Sequence, residues 1–197
     1  MADIVLTGNT SGAITVAAPA VAGTNTLTLP ATTGNIVTTG DSSTITQGMI
    51  GSNVAGTGPS FKAIMSAVTA ISNTGSTKLV LDTEEWDTNS NYDSATNYRF
   101  TPTVAGYYSL SGSMFMSTAT TARVGVAIYK NGSEHAWQFT AGVSSSGGAN
   151  PQVSTIVYAN GSTDYFELYA AQNYASSVNA TNNSVLTWFS GALVRSA

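Results

Sequence analysis

YDSATNYRFTPTVAGYYSL, residues 92–110, is the stretch whose reading decides the fold. It carries aromatics, a Thr-Pro, an Ala-Gly and then a burst of alternating residues, and no obvious chemistry. It reads as a turn entering a strand. From 106 to 117 successive side chains fall on opposite faces. One face carries Tyr108, Leu110, Gly112, Met114 and Met116, and the other Tyr107, Ser109, Ser111, Ser113 and Phe115.

The sequence downstream continues in the same period. RVGVAIY places Val124, Val126 and Ile128 on one face, and Asn131-Gly132 follows. That dipeptide is a hairpin signal, because a type I′ turn needs positive φ at both central residues. STIVY runs into a second turn at Asn160-Gly161, DYFELYAAQ alternates Phe166, Leu168 and Ala170, and SVLTWFSGALV closes the chain as another aromatic and β-branched run. Strands recurring at these intervals between turns predict a β-sandwich or jelly roll. FKAIMSAVTAIS is the exception: Phe61, Ile64, Met65 and Val68 stand at helical spacing.

Upstream, DIVLT, AITVAA, TNTLTL and NIVTT are short β-prone runs bounded by turn residues, with Leu27 and Leu29 on one face of TNTLTL. They are too short to enclose a core and predict a small β arm that needs a partner surface. DSSTITQGMIGSNVAGTGPS is rich in Gly and Ser and reads as a connector. Aromatics become frequent only from Phe61 onward, which marks a boundary near Gly58 and Pro59.

The 197 residues suit one or two compact units. Hydrophobic residues make up 42%, enough for a core, but charged residues only 8%, against about 25% in an ordinary soluble protein. Hydroxyls and amides must therefore hydrate the surface. The net charge is −4 and there are six Lys and Arg residues, too few to displace counterions from a phosphate backbone, so direct nucleic-acid binding is not expected. Cysteine is absent, which excludes disulfides and thiolate metal sites. The opening MADIVLTGNTSG shows no basic region followed by an apolar core, and no apolar run approaches the roughly 20 residues that span a bilayer. Synthesis in a cytoplasm without membrane insertion is expected.

Tyr92-Asp93 with RFTPTVAGYY, then IYKNG at 128–132, GSTDYFEL at 161–168 and FSGALV at 189–194, together resemble the complement-component-1q and tumour-necrosis-factor jelly roll in the family's own order. The resemblance covers most of residues 61–194. SGAITVAAPAVAGTNTLTLPATTGNIV is similar to a segment found near the start of bacteriophage fibre and decoration proteins, and GTGPSF leading into TEEWDTNSNYD resembles the phage branch of the same jelly roll. There is no Gly-X-Y collagen stem. The resemblance implies that FKAIMSA is the first strand, against the helical count. It also implies a homotrimer packed through one sheet of each jelly roll, with Tyr108 and Phe189 close to the axis. The other reading of the Tyr108 row is that it lines each chain's own core, and both stay open here.

DTEEWDTNSNYD gathers Asp82, Glu84, Glu85, Asp87 and Asp93. Paired carboxylates could serve glycoside hydrolysis at about 5–10 Å separation, or bind calcium through oxygen. The spacing is not that of an EF-hand loop, and structural hydrogen bonding is favoured, with Asp93 bonding backbone in its own loop. His135 is the only histidine, lies just past a hairpin turn and lacks a Gly-x-Ser-x-Gly partner, so a surface position is expected. No phosphate loop or dinucleotide fingerprint occurs. Asn-x-Ser/Thr triplets such as 131–133 arise by chance in so Ser/Thr-rich a chain. Trp86, Trp137 and Trp188 could stack on sugars if exposed, although core or subunit interface is the favoured place for them.

The expected fold is all-β: a small N-terminal β arm (1–40), a connector (41–60) and a C-terminal antiparallel jelly-roll sandwich (61–197), assembled as a trimer. No enzyme, cofactor or metal is expected. The function implied is a virion structural protein on the particle surface: a capsid decoration (cement) protein or head fibre. Its arm would bind the major capsid protein or another virion protein. The alternative is a tail-fibre tip that binds a host-surface receptor or glycan.

Overall fold

The structure is a computed structural model that describes residues 4–7, 11–16, 58–117, 122–141, 147–174 and 176–197. The chain divides into two compact units, Met1–Val54 and Ala55–Ala197. Among the described residues there is no helix. In the first unit β1 (Ile4–Thr7) pairs antiparallel with β2 (Ala13–Val16), so the described parts of the DIVLT and AITVAA runs are strands. The predicted strands TNTLTL and NIVTT, including Leu27 and Leu29, lie outside the described residues.

The second unit is a sandwich of two antiparallel sheets. One sheet is built from β12 (Gln152–Ala159), β9 (Gly106–Ser113), β15 (Trp188–Ser196), β3 (Ser60–Ile64) and β6 (Thr83–Asp87), in that order. The other runs β11 (Ser133–Ala141), β10 (Arg123–Lys130), β13 (Phe166–Gln172), β8 (Arg99–Phe100) and β7 (Tyr92–Asp93), and β5 (Ser76–Lys78) also pairs with β13. A short ribbon joins β4 (Thr69–Ile71) to β14 (Val178–Ala180). Consecutive strands repeatedly cross from one sheet to the other. This is a jelly roll.

The opening stretch makes one of those crossings. Tyr92-Asp93 and Arg99-Phe100 pair as a two-residue ribbon at the edge of the second sheet. Asp93 accepts hydrogen bonds from the N–H groups of Ala95, Thr96 and Asn97, as its turn chemistry predicts, and holds the loop between the two strands. The next residues swing over to the first sheet. Tyr108 then donates its hydroxyl proton back to the Val104 carbonyl at 2.8 Å, pinning the corner where β9 begins.

The hairpin at Asn131-Gly132 follows the predicted chemistry, whereas the turn at Asn160-Gly161 links strands of different sheets. Asn131 and Gly132 have φ of 54° and 76°, the paired positive values of a type I′ turn. The Asn131 side chain also donates to Asp164 at 2.7 Å and accepts from the Tyr165 N–H at 2.9 Å, which fastens the β10–β11 turn to the chain entering β13.

The core lies between the two sheets. Phe61, Phe100, Tyr108, Phe166 and Phe189 are fully buried, and Phe61 stacks on Phe100 at 4.3 Å while meeting Phe189 edge-on at 5.0 Å. Val124, Val126 and Ile128, and likewise Phe166, Leu168 and Ala170, point inward as their alternation predicts.

The helical count over FKAIMSAV does not survive. Residues 60–64 form a strand in which Phe61 and Ala63 are buried, as is Met65 just beyond it, whereas Val68, which the helical spacing also required, is 52% exposed. Two neighbouring strands, β15 and β6, hydrogen-bond this segment from both sides and impose a period of two. Local spacing cannot compete with two complete ladders.

Candidate assembly surface

Two faces of the sandwich point away from the core, and the one on the β12-β9-β15-β3-β6 sheet carries four exposed large apolar side chains, Trp86, Tyr107, Ile156 and Tyr158. Its composition follows from the strand registers. Across the sheet, Ile156 stands opposite Ser109, Ser109 opposite Ala192 and Ala192 opposite Ser60. The adjacent row reads Ser154, Ser111, Ser190, Lys62 and Trp86. Small side chains thus fill the middle of the face and large ones stand at both flanks.

At one flank Tyr107 and Tyr158 meet edge-to-face at 5.6 Å, with Ile156 beside them. At the other, Trp86 lies beside Lys62, whose ammonium sits 5.9 Å above the indole and pairs with Glu85 at 2.7 Å. Between them Ser109, Ser111, Ser190 and Ala192 line a shallow depression of about 280 Å³. Trp86 is 47% exposed, Tyr107 46%, Ile156 64% and Tyr158 42%, a concentration of solvated apolar surface on one sheet face. Val194, on the bulge where the register shifts near the end of β15, is also exposed. Large apolar side chains left in solvent on both flanks of one sheet face make it a candidate packing surface.

The resemblance set Tyr108 and Phe189 near a trimer axis. Tyr108 and Phe189 project from this same sheet toward the sandwich interior and are fully buried within a single chain. Burial pushes the Tyr108 phenol up to about 12. Leu110, Met114 and Met116 are buried with them, so the row lines the chain's own core. The exposed alternate positions, Tyr107 and Ser109, face outward instead.

The carboxylates of the acidic cluster are individually engaged. Asp82 accepts from the Ser66 N–H and hydroxyl, Glu84 from Ser94, and Asp87 from the Tyr92 N–H, while Glu85 pairs with Lys62. The several N–H groups bonded to Asp93, Thr96 foremost, hold its carboxyl below the usual aspartate range. Partial burial tends to raise Asp82, but its bonds from Ser66 outweigh that and lower it. Burial, with the nearby charges of Glu84 and Asp93, raises the Tyr92 phenol well above its ordinary value. Among the described residues no group of three or more acidic or histidine side chains is arranged to hold a metal ion. His135 is exposed on β11, as expected.

None of the three tryptophans lies in the core: Trp86 is exposed, and Trp137 and Trp188 are half-buried. Ile156 and Tyr158 escaped the sequence reading because STIVY presents Ile156, Val157 and Tyr158 consecutively. Three apolar residues in a row do not say which faces out. The pairing of β12 with β9 decides it.

The second unit shares its fold with tumour-necrosis-factor-like jelly rolls. Murine APRIL superimposes with a TM-score of 0.56 at 8% identity, over 70% of this chain and 99% of the other. Eiger TNF from S. frugiperda gives 0.55 at 7% identity, over 71% and 92%. The PRD1 vertex protein P5 gives 0.47 at 13% identity, over 72% and 100%, too distant to carry an argument. No protein-family profile matches the chain, and no curated protein sequence matches it.

Proposed function

We propose that this chain is a non-enzymatic virion structural protein, a trimeric capsid decoration protein or head fibre. The observation that carries the trimer is the outward face of the β12-β9-β15-β3-β6 sheet. Its aromatic flanks and serine-alanine trench form a surface that a second and third copy can cover, a large side chain of one meeting the trench of the next. The axis contacts are then Trp86, Tyr107, Ile156 and Tyr158, the outward-facing neighbours of the expected Tyr108 and Phe189. The virion assignment rests on the resemblance of residues 11–37 to the starts of phage fibre and decoration proteins.

In this reading residues 1–40 attach the molecule to the particle through the major capsid protein or another virion protein, and the jelly roll projects outward. Short arm strands add to an exposed sheet edge, and three arms on one trimer bind together, so that weak single contacts sum to high avidity. Deleting residues 1–39 leaves a soluble trimer that no longer sediments with particles. Co-sedimentation of the truncated protein would disprove this division of labour.

A further inference from the structure

The second sheet also has an outward face, and its registers dig a trough into it. Along one row the cross-strand partners are Ser76, Ala171, Gly125 and Phe139. Three of the four have little or no side chain, so the row is open between β5 and β11. Phe139 leans over Gly125 so closely that a Cβ there would meet its ring at 2.4 Å. In the next row Trp137 stacks on Phe139, with centroids 4.8 Å apart and the planes 6° from parallel. The trough occupies about 480 Å³.

Its ends are polar. Arg123 lies at one end with its guanidinium 4.0 Å from the Phe139 ring centre, and its backbone N–H donates to the Asn173 amide oxygen at 2.6 Å. Among the described residues no carboxylate pairs with this guanidinium, unlike the ammonium groups of Lys62, Lys78 and Lys130. Glu134 lines the trough as well, and one of its oxygens accepts from Tyr129 at 3.2 Å.

We propose that this trough is a saccharide-binding site and that it takes a carboxylate-bearing sugar, with Arg123 on the carboxylate and the Trp137–Phe139 wall against the apolar face of the ring. The size favours a small ligand. Sites for small molecules occupy about 300–1,000 Å³ and combine aromatic walls with a few placed polar groups. A stable protein partner needs about 800 Å² from each side, more than the trough supplies. A pyranose has both a C–H face for the aromatic wall and hydroxyls for Glu134 and the Asn173 side-chain amide. Stacking on Phe139 steadies the Arg123 fork, whose flat geometry matches a carboxylate. The site lies within one chain and stands independently of the assembly reading.

The full chain is tested by calorimetry and tryptophan fluorescence against uronate-containing oligosaccharides and sialyllactose, with their neutral counterparts and acetate alongside. Acidic sugars bind, and the neutral counterparts bind about tenfold or more weaker, the loss expected for one charge-assisted contact. Arg123→Gln brings the acidic sugars down to the neutral level, Arg123→Lys restores part of the difference, and Trp137→Ala weakens both classes. Ile156→Ser, on the opposite sheet, leaves binding unchanged. Thermal melts of each variant separate lost binding from lost fold. Three results would each overturn the proposal: no binding across the panel, acetate competing as well as the sugars, or full binding in the folded Arg123→Gln and Trp137→Ala variants.

Discussion

Ile156→Ser is the sharpest perturbation of the assembly surface, because Ile156 makes little contact inside its own chain. It is 64% exposed. Complete burial of an isoleucine side chain contributes about 1.5–3 kcal/mol. The 64% still exposed corresponds to about 1–2 kcal/mol per copy if the trimer covers it. Three copies lose about 3–6 kcal/mol, which raises the trimer dissociation constant by about 10²- to 10⁴-fold. Sedimentation equilibrium across a dilution series reads that constant directly. Chemical denaturation of the dissociated chain should change by less than about 0.5 kcal/mol, since the lost side chain is on the surface. An unchanged dissociation constant would exclude this face from the interface. A wild-type chain that stays monomeric at micromolar concentration would remove the interface altogether.

Tyr108→Phe separates the two placements of the neighbouring row. Losing the hydroxyl bond to the Val104 carbonyl lowers the denaturation free energy by about 0.5–1.5 kcal/mol and leaves the trimer constant unaltered, because Tyr108 is buried within its own chain. Gly112→Ala drives a Cβ to 2.2 Å from a Leu168 methyl and destabilises the sandwich by about 1–3 kcal/mol in urea titrations. Acid should act through the aspartates. Asp82, Asp93 and Asp164 all lie below the ordinary value of 3.8 in the folded chain. Their contribution is complete above that value and is lost as pH falls through the lowered ones. Asp93→Ala therefore melts earlier than the wild type at neutral pH, and the gap narrows as pH falls below the ordinary aspartate value of 3.8. A gap that widens in acid would show the sign to be wrong.

Several strands and the β10–β11 turn of the jelly roll were readable from local sequence. Asn131-Gly132 specifies a turn by its own backbone preferences, and the alternation of Phe166, Leu168 and Ala170 specifies an inward face, because both are local properties of the chain. The Phe61 segment shows where local evidence fails. Its spacing satisfies a helix and a strand alike, and the hydrogen bonds that choose between them come from β15 and β6, which lie far away in sequence.

The surfaces are the extreme case. Period-two alternation sorts side chains into two faces but is symmetric between them, so it cannot say which one meets the core. The sequence by itself determined that Tyr107 and Tyr108 point opposite ways. Only tertiary structure decided that Tyr108 goes inside, that Ile156 and Trp86 flank a serine trench, and that Gly125 and Ala171 leave a trough beside Trp137. Each of those depends on which residue stands opposite which across a sheet, and register between distant strands is set by the packing of the whole sandwich.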